Sequence, residues 1–313
     1  MLGQYSRNPL VKNYLYRLAE RQKPIDTEKW YYLNSEQFPA HLQSKFLQNS
    51  LDEETEEFLE NCYEKSDWIF TQIFHNVFRV VLGWFMSMTT VNGLLNRGSM
   101  FVFSENQFLE LLNVNRSSYH GNSYLDLGAG DGKTTGKLSK YFDQAYATEQ
   151  SPTMQWRLKE KGFQILEIDQ WQTPKKYSLI TALNLLDRID HPVKLVNELR
   201  TSIADDGFVI LAIVLPYNPC YETGVSFRDP SQYLPICGKT IEEQIVSLHD
   251  DVFVPAGFDV VRFTRLPYLC EGDLNHDFFA LNDVVFVLKP RLGYEHEVNR
   301  VSSDSHCQAG NVG

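Results

Sequence analysis

Between a short apolar stretch, residues 123–127, and a helix-prone stretch beginning at Lys133 stands the string Asp126-Leu127-Gly128-Ala129-Gly130-Asp131-Gly132. No other part of the chain restricts the fold as much. Glycines at alternating positions let the backbone turn where a Cβ would collide, and let a ligand approach the main chain closely. A strand that enters such a turn and leaves it as a helix opens a βαβ crossover, the unit of a doubly wound α/β sheet. The spacing is G-x-G-x-G. A dinucleotide fingerprint needs another glycine where Lys133 stands, which disfavours NAD(P). S-adenosyl-L-methionine, which has no pyrophosphate to seat, suits the loop better; its product would be S-adenosyl-L-homocysteine. Asp126, Gly128, Gly130 and Gly132 are therefore candidate cofactor-binding residues.

The flanking pattern agrees with such a sheet. Apolar strands are predicted at 123–127, 144–148, 163–168, 178–183, 208–215, 260–264 and 284–288, and helices at 133–141, 153–161, 192–203 and 241–253. Strands alternating with helices imply a mostly parallel, Rossmann-like sheet with right-handed crossovers. The last two strands lack an intervening helix, which predicts an antiparallel edge. The 313 residues suffice for one such domain and an accessory segment. The chain divides into a polar, helix-prone extension (1–60), an α-helical accessory layer (61–121), a catalytic domain (122–290) and a polar tail expected to be disordered (291–313). Ser104 and Gln107 have capping-box spacing and place a helix start there.

Candidate site residues follow from strand ends, because ligands of open α/β sheets gather at the carboxyl ends of the central strands. Glu149 ends the second strand, where a carboxylate can accept both ribose hydroxyls; alternatively it caps the helix after Ser151-Pro152. Asp169, after the third strand, stands where an adenine-amine acceptor lies in such folds, with Trp171 near enough to stack; a solvated turn is the other reading. Asn184 and Asp187, after the fourth strand, are spaced to face one side of a turn, one toward cofactor and one toward acceptor. A long connection from Leu266 to about Asn282 carries Tyr268, Glu271, Asp273, Asp277 and Asp283. Connections of that length are often functional. Tyr268 would close over the cofactor or simply pack in a turn, and Glu271 and Asp273 would meet a substrate.

Composition removes other classes. A net charge of −11 with no basic block disfavours nucleic-acid binding. The five cysteines form no C-x-x-C and the eight histidines no H-x-H or H-x-x-x-H, so neither a disulfide framework nor a metal site is expected. There is no G-x-S-x-G elbow, P-loop or zinc signature. The first residues hold no apolar run of a signal peptide. Residues 66–88 are long and apolar, but Gln72, His75, Asn76, Arg79 and Ser87 form a polar stripe at helical spacing. An amphipathic helix fits better than a transmembrane span, with a membrane-surface contact as the second reading. The expected compartment is intracellular and cytoplasmic, with endomembrane or mitochondrial association left open.

Longer strings carry a resemblance. Thr90-Val91-Asn92-Gly93-Leu94-Leu95, then Arg97-Gly98-Ser99-Met100-Phe101-Val102-Phe103-Ser104, resemble the DREV family of methyltransferase-like proteins. So do the glycine loop, Tyr146-Ala147-Thr148-Glu149, residues 183–188, and Phe263-Thr264-Arg265-Leu266-Pro267-Tyr268-Leu269-Cys270-Glu271-Gly272-Asp273. The match spans roughly residues 60 to 290. The resemblance implies a protein-histidine N-methyltransferase acting on the Nδ1 nitrogen of His-x-His motifs with a small central residue. Its partners would be proteins carrying such motifs. It also implies that the glycine loop, Glu149, Asn184 and Tyr268 hold the cofactor and that Asp187 contacts the substrate imidazole. Two alternatives stay open: a small-molecule N- or O-methyltransferase, and a cofactor-binding scaffold without catalysis.

Overall fold

Local chemistry sets where the helices begin. The computed structural model describes residues 9–68, 71, 74, 75, 91, 95, 98–172, 176–223, 226–273 and 275–293. Its front part holds helices α1 (Pro9–Arg21), α2 (Glu28–Tyr31), α3 (Ala40–Gln43) and α4 (Glu53–Asp67), followed by strand β1 (Met100–Phe101) and helix α5 (Glu105–Leu112). Asp52 caps α4 by accepting the Thr55 N–H at 3.1 Å. Ser104 and Gln107 form the capping box that their spacing predicts, with both bonds at 3.0 Å, and Asn113 ends α5 in the left-handed region at φ 55°.

The rest alternates as the pattern demands: β2 (Gly121–Leu127), α6 (Lys133–Ser139), β3 (Phe142–Thr148), α7 (Pro152–Glu160), β4 (Gln164–Ile165), β5 (Tyr177–Leu183), α8 (Pro192–Ser202) and β6 (Ile203–Val214). A small ribbon, β7 (Tyr221–Thr223) with β8 (Ser226–Arg228), precedes α9 (Ile241–Ser247). The helix then widens to a π-helical stretch, Leu248–Phe253, before the long strands β9 (Phe258–Glu271) and β10 (Phe278–Pro290).

The main sheet has eight strands in the order β1-β9-β10-β6-β5-β2-β3-β4. Pairings among β4, β3, β2, β5 and β6 are parallel, whereas β10 with β6, β10 with β9 and β1 with β9 are antiparallel. From β2 the chain builds outward to β3 and β4, and from β5 the opposite way to β6. The switch point therefore lies between β2 and β5, where a doubly wound sheet opens a crevice for a ligand.

Both faces of the sheet are buried, so its central strands read as unbroken apolar runs. Leu125, Ile180, Leu211, Val284 and Phe286 point to one face, joined by Phe253 and by Phe38 and Leu42 from the front segment. Tyr124, Leu179, Ile210, Val285 and Val287 point to the other, covered by Phe108 and Leu111 of α5 and Leu138 of α6. Each such side chain contributes about 1.5–3 kcal/mol on burial.

Three expectations need correction. The first concerns the last two strands, which run far past 264 and 284 to leave only residues 272–277 as a hairpin connection. Pro267 reads as a turn in sequence. It is accommodated because it lies on the stretch of β9 between the Phe46–Phe263 bridge and the Phe101–Leu269 pair, where no strand among the described residues borders the outer edge. The second concerns the accessory layer, which is not wholly helical, since Met100 and Phe101 add a strand to the sheet. The third concerns the front segment. Tyr31, Leu33, Phe38 and Leu42 are core residues, and Leu47 N–H donates to the Phe263 carbonyl at 2.8 Å. Most of the apolar stretch 66–88 and the tail from 294 lie outside the described residues. No described helix is long and apolar enough to cross a membrane. Cys62, Cys220 and Cys270 are free thiols.

Candidate active site

The glycine loop leaves β2 with Gly128, Gly130 and Gly132 all at positive φ, 71°, 54° and 71°. A side chain at Gly132 would place its Cβ 2.5 Å from Leu158 Cδ2, so glycine is needed there both for conformation and for close packing of α7. Asp126 sits beneath the loop, buried, accepting Thr135 Oγ1 and Thr181 Oγ1 at 2.6 Å each. It ties α6 to β5. Burial lifts its pKa to about 6, against the pull of those hydroxyl donors.

Glu149 joins the glycine loop to the start of α7. Oε1 accepts the Ser151 N–H at 2.8 Å ahead of α7, and Oε2 accepts the Gly130 N–H at 2.9 Å. A carboxylate has about four acceptor positions, so two remain beside the loop. Asp169 stands exposed in the turn after β4. Trp171 is 3% exposed within the core cluster, its carbonyl accepting the Tyr177 hydroxyl.

Across the switch point, Asn184 follows β5 at φ 54°, an uncommon conformation for a non-glycine residue. Its Nδ2 donates to Asp283 Oδ2 at 3.0 Å, which leaves Oδ1 buried with no hydrogen-bond partner. Asp187 is 2% exposed. Its Oδ2 pairs with Arg188 Nε at 3.2 Å, while Oδ1 is buried with no partner from another residue. Burial raises the Asp187 pKa, and Arg188 opposes the rise.

Asp283 is the residue that sequence reasoning misplaced. Grouped there with an acidic loop, it lies instead in β10, fully buried and in register with Val214 of β6 and Leu266 of β9. Burial lifts its pKa to about 8, with the Asn184 bond opposing and the nearby Asp187 charge adding to the shift. An aspartate flanking an apolar run is ordinarily exposed, so the sequence carries no local signal of this burial.

The residues on β9 divide. Tyr268 donates its hydroxyl to Met100 Sδ, and Met100 Cε lies 3.6 Å from where a Gly130 Cβ would stand. Lys133 Nζ reaches Ser99 Oγ at 2.5 Å. Ser99 and Met100 thus bridge the glycine loop to Tyr268, a contact the sequence reading missed. Glu271 and Asp273 are both hydrogen-bonded within the fold. Glu271 accepts the Gly98 and Ser99 N–H groups at 3.0 and 3.2 Å and pairs with Lys65 at 3.0 Å. Asp273 caps the hairpin turn by accepting the Asn275 and His276 N–H groups at 2.8 and 3.0 Å.

A family model described as DREV methyltransferase matches residues 30–290. The chain belongs to the DREV methyltransferase family. It is an S-adenosylmethionine-dependent methyltransferase of the class I, Rossmann-like type, and its strand order carries that fold assignment. Solved structures with some likeness include the DhpI-SAH complex (15% identity, covering 59% of this chain and 82% of that one, TM-score 0.40). Another is an S-adenosylmethionine-dependent methyltransferase from Clostridium acetobutylicum (16% identity, 60% and 90%, TM-score 0.39). A third is the N-methyltransferase NodS from Bradyrhizobium japonicum with S-adenosyl-L-homocysteine (14% identity, 59% and 86%, TM-score 0.37). The site of this DREV chain fits the cofactor on its own evidence. The loop turns back through three positive-φ glycines. The carboxylate of Glu149 fronts that loop, and the orphaned Asn184 Oδ1 offers an acceptor for an ammonium group on the opposite side of the crevice.

Proposed function

We propose that this chain is a protein-histidine N-methyltransferase that modifies Nδ1 of histidine in His-x-His motifs with a small central residue. Gly128, Gly130 and Gly132 would seat the cofactor, with Glu149 on its ribose, Asn184 on its amino end and Tyr268 covering it. Asp126 holds the loop in place through Thr135 and Thr181. Asp169, exposed after β4, would meet the adenine amine. When bound, S-adenosylmethionine supplies an electrophilic methyl group on its sulfonium.

What supports the acceptor assignment is the unpartnered, buried Asp187 Oδ1 beside the crevice. Neutral imidazole has one N–H and one nucleophilic nitrogen. Asp187 accepting the Nε2–H would fix the tautomer whose Nδ1 lone pair is free. As Nδ1 gains its new bond the ring becomes cationic, and a fixed carboxylate in a dry site stabilises that charge far better than water does. Asp187 is then placed to take the Nε2 proton, and a pKa raised by burial suits it to that transfer. Asp283, with its pKa near 8, keeps its proton at neutral pH and so adds no second negative charge.

The test is transfer of label from S-adenosylmethionine to a peptide rich in His-Ala-His. A matched peptide lacking histidine and a Gly130→Arg enzyme serve as controls. Label in the first peptide, absent from both controls, is the expected outcome. No label from an enzyme that binds the cofactor in calorimetry would overturn the assignment and point to a small-molecule acceptor.

A further inference from the structure

Two imidazoles and a carboxylate meet at the seam between the front segment and the sheet's helical layer. His41 lies on α3 and His249 on the π-helical stretch, their ring centroids 5.0 Å apart. Asp250 Oδ1 is 2.6 Å from His249 Nδ1. One ligand atom from each of the three residues falls within 4.8 Å of the others. His249 is buried, whereas His41 and Asp250 are exposed, so the cluster has a fixed inner member and open access from solvent.

We propose that His41, His249 and Asp250 form a binding site for a divalent first-row transition cation such as Zn2+. Imidazole nitrogen combined with carboxylate oxygen selects borderline cations over Mg2+ or Ca2+, which prefer oxygen alone. Three protein ligands leave a fourth tetrahedral position to water. The short His249–Asp250 contact is the one the cation takes over, its atoms moving apart to about 3.3 Å, the separation of two ligands on a tetrahedral zinc ion. The backbones are already held in place. Phe38 packs edge-on against Phe263 at 5.2 Å, Asn34 N–H donates to Glu242 at 3.0 Å, and the 45–47 stretch is hydrogen-bonded to Phe263. A cation here would staple α3 to the turn that leads into β9. Spacing rules miss the site because its histidines come from opposite ends of the chain.

The test uses the untagged full-length chain, stripped by chelator and titrated with Zn2+ in a calorimeter and with Co2+ by visible absorption, beside His41→Ala and Asp250→Asn. His41 is exposed, so its replacement leaves the fold intact, and Asp250→Asn provides an independent second variant. The expected result is one equivalent bound by the wild type and a rise in Tm with Zn2+. The visible bands would be those of four-coordinate Co2+, and affinity would be weakened about tenfold or more in each variant. Failure of the wild type to bind, or unchanged affinity and stoichiometry in both variants, would overturn the proposal.

Discussion

At the scale of single residues, Asp187 carries the proposed chemistry. Its carboxylate is buried, bonded on one side to Arg188 and open on the other. Replacing it by Asn keeps the shape but removes the charge that stabilises an imidazolium. Asp187→Asn should therefore leave cofactor affinity unchanged in calorimetry and lower kcat on a His-Ala-His peptide by roughly 10², the usual contribution of such a group. Equal kcat in the two enzymes would remove Asp187 from the reaction. The neighbouring acid works differently. Asn184 touches Asp283 through Nδ2, and that bond turns the orphaned Oδ1 away from it. Asp283 is thus a positioning residue for Asn184 in this account, not a group that touches substrate.

At the scale of elements, legibility followed the period of the pattern. The parallel strands β2, β3, β5 and β6 and the helices between them were readable, because continuous apolar runs separated by capped helices have few other solutions. So was the glycine loop, whose three positive-φ positions admit little but glycine. The β9–β10 hairpin was not. Pro267 and a string of acids imitate a loop, and only the sheet reveals that no described strand lies beside Pro267 on this edge of β9. The same error put Asp283 in the wrong class. Glu271 anchors the turn at Gly98 and Ser99, which carries Met100 to the glycine loop. Contacts of that kind join residues about 170 positions apart and leave no local signature.

At the scale of the whole molecule, the crevice residues sit on a fold that buries two acids to build them. Asp283 and Asp126 titrate near 8 and near 6 in the native state, both above the ordinary 3.8. The folded protein therefore holds protons that the unfolded chain has already released. The stability linked to these acids is complete below about pH 4 and is lost as pH rises through 6 and then 8. Denaturant unfolding across this range should show the decline. Asp283→Asn should roughly halve the slope between pH 4 and 6 and abolish the decline above 6, on the order of 5 kcal/mol over the whole range for an acid with such a shift. An unaltered slope in that variant would show that Asp283 ionises freely in the native state.

Membership of the DREV methyltransferases, matched over residues 30–290, fixes the donor, and the acceptor atom is what the proposed function adds. The most direct measurement is acid hydrolysis of a His-Ala-His peptide after reaction, with chromatography that separates the two ring-methylated histidines. Methyl on Nδ1 alone is predicted, because Asp187 holds the Nε2–H. Methyl on Nε2, or on both nitrogens, would contradict the tautomer assigned to Asp187.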